Sequence, residues 1–132
     1  MRALTGTEWL RRLARRLRKL NVDVELGTSE AVDFLRLRGA EGYTMHGDGG
    51  ATILFRDLEP TASVVLEEVT HVLQAVERRF EEDGVLIMTQ RREIEVRECL
   101  IERRGRLGLP EEEDRVSRMQ LEEYRKELQL RP

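Results

Sequence analysis

Between Pro60 and Phe80 the sequence reads PTASVVLEEVTHVLQAVERRF, and at its centre stand two carboxylates, a hydroxyl, an imidazole and an amide: Glu67, Glu68, Thr70, His71 and Gln74. At about 100° per residue these groups fall opposite an apolar arc of Val65, Leu66, Val69, Val72, Leu73 and Val76. No Lys or Arg joins them before Arg78. A helix bearing H-E-x-x-H sets two imidazoles at i and i+4 for zinc, with the intervening Glu beside the bound water as base. Here the string is E-E-x-x-H: Glu67 stands at the first His position, Glu68 at the base position and His71 at the second His position. Further along, Glu95, Glu98 and Glu102 share one helical face at i, i+3 and i+7. The bland alternative is that an amphipathic helix needs a polar face, and these residues supply one without any ion. Residue types alone leave both open.

The elements around these groups follow from local signals. Thr5 and Glu8 form a T-x-x-E capping box ahead of a helix over about 7–20, with Trp9, Leu10, Leu13, Leu17 and Leu20 on one arc. Its other arc is Arg11, Arg12, Arg15, Arg16, Arg18 and Lys19. NVDVEL, 21–26, alternates as a short strand, and 31–38 fits a strand or a helical turn. Tyr43 to His46 and Ala51 to Phe55 flank Gly47-Asp48-Gly49-Gly50, the signature of a hairpin. Those glycines lack a P-loop lysine and dinucleotide spacing, so a phosphate cradle is not expected. Pro60 suits a first helical turn and opens the central helix, 60–80. Val85 to Met88 reads as a short apolar segment, Thr89 as the cap of a Glu-bearing helix over 89–104, and Gly105 and Gly108 as a break. Pro110 begins a last helix, 110–130, whose Glu111 to Asp114 run suits its positive end and whose apolar positions Val116, Met119, Tyr124 and Leu128 scatter, as on a peripheral helix.

A chain of 132 residues with 39% hydrophobic content suits one domain, 1–132, and its Leu- and Val-rich, aromatic-poor, 37% charged composition suits helical or mixed structure. The expected class is α+β, a hairpin and short sheet feeding a central helix, flanked by N-terminal and C-terminal helices. The net charge of -3 hides an asymmetry: residues 1–20 carry seven Arg or Lys against one Glu, leaving -9 for the rest. The basic helix could face nucleic acid or an anionic surface. However, its apolar arc is wanted by the core and no aromatic sits among its arginines, so a solvated face, or arginines meeting the acidic body or a partner, is the preferred reading. One cysteine, Cys99, forms no intrachain disulfide, and the acids around it should raise its pKa. Ser63 and Ser117 lack a glycine-flanked elbow, so nucleophilic catalysis is not expected. No apolar run reaches the roughly 20 residues of a membrane span, and no signal-peptide core is present. The expected setting is soluble and, by default, cytoplasmic, or that of a secreted effector if the chain belongs to a longer protein.

With a strand and hairpin before E-E-x-x-H and a Glu-bearing helix after it, residues 40–104 resemble the zincin metallopeptidases, in particular the small metallopeptidase domains of bacterial polymorphic toxins. The resemblance implies a zincin-like fold and a metal-dependent peptidase, active or decayed, with a protein or peptide as substrate or partner. It implies His71 as metal ligand, Glu68 as general base and Glu95 as third ligand, with Glu98 one turn on as its alternative. Zinc is the implied ion. Glu67 departs from the family pattern: a Glu, His, Glu set is harder and more anionic than usual, which favours another divalent ion or weakens catalysis. The Glu68-x-x-His71 pair also occurs in di-iron bundles, which need a second such pair that this chain lacks. His46, the only other imidazole, is a hairpin residue that could substitute as ligand. A non-enzymatic interaction module built on the same helices is the competing function.

Overall fold

The Thr5 hydroxyl accepts a hydrogen bond from the Glu8 amide and the Glu8 carboxylate accepts one from the Thr5 amide, so the expected capping box opens helix α1, Gly6–Lys19. The computed structural model describes residues 3–130, which fall into two compact units. The first is Leu4–Val72; the second runs from Leu73 and includes Ala3.

In the first unit α1 leads to β1, Val22–Leu26, then helix α2, Ser29–Arg38, strands β2, Gly42–Gly47, and β3, Gly50–Phe55, and finally α3, Ala62–Val76, inside which the unit boundary falls. The stretch 31–38, open between strand and helix, is helical. The Thr28 hydroxyl caps it by accepting from the Ala31 amide, and Gly39 ends it at φ 64. The sheet order is β1-β3-β2, with β3 parallel to β1 and antiparallel to β2. Asp48 and Gly49 make the hairpin turn between paired Gly47 and Gly50, and Gly49 supplies the positive φ of 76. The Asn21 side chain secures that turn by donating to the Gly49 carbonyl.

Side chains alternate across β3. Ile53 and Phe55, in register with Val24 and Leu26, pack with Leu17 of α1 and with Val65, Val69 and Val72 of α3. Leu54 points the other way, to Ala31 and Leu35 of α2. The central strand is therefore covered on both faces, which is why ILF reads as an unbroken apolar run. Together with the helices of the second unit this makes a small α+β fold.

In the second unit the central helix stops at Val76, short of the expected Phe80. Arg78 takes φ 57, and the amides of Arg78 and Arg79 close back on Ala75 and Gln74, an αL termination of Schellman type without a glycine. A 3₁₀ turn, Glu81–Asp83, precedes α4, Val85–Glu102. Val85 to Met88, read as a separate apolar segment, is the first turn of α4, and Thr89 does not cap it: its hydroxyl donates to the Val85 carbonyl one turn back. Gly105 lies inside a short helix α5, Arg104–Leu107, which Gly108 ends at φ 69. Helix α6, Glu111–Gln129, returns antiparallel to α4, as the pairs Gln90 with Glu127 and Arg97 with Gln120 require.

The hairpin gives a sharp test of this packing. A Cβ on Gly50 would lie 2.3 Å from the Asn21 carbonyl, whereas one on Gly47 would meet nothing within 4 Å. Gly50→Ala should cost about 3 kcal/mol in denaturant unfolding by forcing backbone apart. Gly47→Ala should stay within about 0.5 kcal/mol.

Candidate functional site

The chemistry-bearing residues of α3 divide by which way the helix turns them. Val65, Val69 and Val72 must face the sheet, and this fixes the rotation of the helix. Glu67 and His71 then stand one turn apart on one flank, both half-buried. Glu68 does not join an open polar face as the helical wheel suggested; it is 4% exposed. Its carboxylate reaches toward β2, where the Thr44 hydroxyl donates to Oε1 at 2.9 Å. Gly42 at the start of β2 makes room: a Cβ there would sit 3.1 Å from Glu68 Cγ. Thr70 spends its hydroxyl on the Leu66 carbonyl at 2.7 Å, within the helix.

The second unit holds the remaining candidates. Gln74, also placed on the polar arc by sequence, is 2% exposed and donates to the Arg92 carbonyl and to Glu95 Oε1. Glu95 is clamped further by Arg79, whose Nε and Nη2 reach its two oxygens. Burial pushes the Glu95 carboxyl upward, but hydrogen bonds from Arg79 and Gln74 and the charges of Arg79 and Arg92 outweigh it, so its pKa lies below the ordinary range. Glu95 is thus already neutralised and held by its own unit. Glu98 is exposed and faces Arg125 at 3.8 Å; with Glu102, Glu122 and Arg118 it lines a groove of about 580 Å³ between α4 and α6.

Sequence reasoning missed Glu93. On α4 it lies on the opposite side from Glu95, Glu98 and Glu102, half-buried, with Oε2 2.6 Å from Arg97 Nη1. Arg97 is 3% exposed, donates to Gln120 Oε1 and stacks on the Tyr124 ring at 5.0 Å. The legible signal was the i, i+4 pair Glu93-x-x-x-Arg97, an anchored carboxylate. His46 lies on exposed β2, opposite Ala51. Cys99 has its pKa raised as expected, although burial is the larger cause and the acids Glu95, Glu102 and Glu98 only add to it.

Among the described residues no helix is long and apolar enough to cross a membrane. No family model matches the chain, and neither a curated protein nor a solved structure is similar to it.

Two outcomes follow. Thr44→Val removes the hydroxyl that serves a buried carboxylate and should lower stability by about 1–3 kcal/mol, measured against Thr52→Val as control. Because the folded pKa of Glu95 is depressed, its stabilisation is present above the ordinary carboxylate range and lost as pH falls through the folded value. Thermal melts of the native chain should therefore fall faster below that range than those of Glu95→Gln.

Proposed function

We propose that this chain is a divalent-metal-binding domain in which Glu67 and His71 of α3 supply ligands. The observation that carries the reading is that the packing of α3 leaves these two ligand-type side chains half-buried on one flank of the helix. Glu67 and His71 offer a carboxylate and an imidazole from successive turns of one helix, at the spacing that metal helices use. A carboxylate with an imidazole is suited to zinc and equally to manganese or iron(II). Glu95 and Glu98, expected as third ligands, are the weaker candidates, since Arg79 and Gln74 engage the first and α6 faces the second.

The zincin-like peptidase is the narrower version of this proposal, and it asks more of Glu68 than its surroundings favour. A general base must meet the attacking water, while Glu68 is buried and receives the Thr44 hydroxyl. Holding an ion is therefore the reading supported best, with hydrolysis secondary to it.

The test is titration of the metal-free full chain with zinc, manganese and iron(II), followed by elemental analysis after dialysis. About one ion per chain is expected, with affinity falling at least about tenfold in Glu67→Gln and His71→Ala and unchanged in Glu95→Gln. Retention of the ion in His71→Ala would remove the site from α3. Peptide hydrolysis that depends on the ion and disappears in Glu68→Gln would instead restore the peptidase.

A further inference from the structure

The feature that a metal site leaves unexplained is the outer face of α1. Arg11, Arg12, Arg15, Arg16, Arg18 and Lys19 are all exposed, and among the described residues none of the six has an ion pair. Arg12 alone has a side-chain partner, the Trp9 ring at 5.8 Å. This is unusual in a chain with 26 Asp and Glu, eleven of whose described ion pairs recruit arginine or lysine from other elements. Among the described residues, the Arg12 contact on Trp9 is the one side-chain tie between these cations and the fold.

We propose that this face docks the phosphate backbone of a duplex nucleic acid. The six cations form two rows on the helix surface at i, i+4 and i+7: Arg11, Arg15 and Arg18 in one, Arg12, Arg16 and Lys19 in the other. Each row spans about 10 Å of helix axis at about 1.5 Å per residue. That matches about three phosphate-to-phosphate steps of one strand along the duplex axis, at about 3.4 Å each. Five of the six are Arg, whose planar fork suits phosphate oxygens better than a lysine point charge does.

The buried side of the helix chooses between occupants. Trp9, Leu10, Leu13, Leu17 and Leu20 pack in the core of the first unit, so α1 has no apolar face left to enter a lipid surface. With Trp9 committed there, the basic face has no aromatic platform for unstacked bases, which points to a duplex rather than a single strand. The contact reads charge and not sequence, and the net -3 of the whole chain keeps it weak and confined to α1.

The experiment is fluorescence anisotropy of labelled, mixed-sequence duplex DNA and duplex RNA with the full chain, from about 50 to about 200 mM salt. Anionic phosphatidylserine vesicles and polyglutamate run in parallel. The expected result is binding to a duplex that weakens with salt, with the slope of log K against log salt reduced by about 2.7 in Arg11→Gln/Arg15→Gln/Arg18→Gln. The same loss is expected in Arg12→Gln/Arg16→Gln/Lys19→Gln. His71→Ala should bind as the native chain does, which separates this proposal from the metal site. Circular dichroism confirms that the exposed substitutions leave the fold intact. No duplex binding at the lowest salt, or slopes unchanged in both triple variants, would overturn the proposal. Tighter binding to vesicles or to polyglutamate than to either duplex would overturn it in favour of a lipid or an acidic protein.

Discussion

The second half of β3 has water on neither face, and the first unit is arranged by that constraint. Ile53 and Phe55 are fully buried and Leu54 nearly so. Both hydrogen-bonding edges of the strand are taken, by β1 and by β2, so its backbone groups are satisfied. One face then requires the apolar arcs of α1 and α3, and the other requires α2. Because Val65, Val69 and Val72 must reach that strand, α3 has a single workable rotation. Glu67 and His71 are carried to one flank by it, and Glu68, adjacent to Val69, is carried inward beside β2.

A carboxylate in that position is costly unless something receives it. Thr44 and Gly42 on β2 do so, one with a hydroxyl and the other by having no side chain. This pairing is the point where the zincin analogy and the fold pull apart. In a metallopeptidase the Glu after the first ligand must look outward at water. Here it looks at a strand, and the donor aimed at it is part of the sheet. The letters E-E-x-x-H are compatible with both arrangements; only the packing of the helix separates them.

Much of the fold was legible because its signals are local. Thr5 with Glu8 and the Asp48-Gly49 turn each act over a few residues and stand where the spacing puts them, whereas Pro60, read as the first turn of the central helix, lies before α3, which starts at Ala62 with the Thr61 hydroxyl accepting from the Val64 amide. What was not legible depends on partners distant in sequence. Thr89 looks like a cap, but the helix had already begun four residues earlier, with Val85 and Leu86 exposed on its first turn. Gln74 looks like a surface amide, yet its hydrogen bonds go to Arg92 and Glu95 on the next helix. The wheel of α4 singled out Glu95, Glu98 and Glu102 for sharing a face, although sharing a face says nothing of what the face meets. Glu95 met Arg79, and Glu93 on the other side was overlooked although its i, i+4 spacing to Arg97 was there to read.

The contrast between Glu93 and Glu95 shows how the second unit uses its carboxylates. Glu95 faces Arg79 with both oxygens, so anything that took this carboxylate would have to displace a bidentate pair. Glu93 meets Arg97 through Oε2, and that arginine is held in turn by Gln120 and stacked on Tyr124. Acids on both sides of α4 are thus engaged by arginines of their own unit, one from just after α3 and one from α4 itself, and the charge of each is compensated where it stands. That compensation is what a helix wheel does not show: it marks Glu95 as a member of a face and Glu93 as nothing, while the packing gives each of them an arginine.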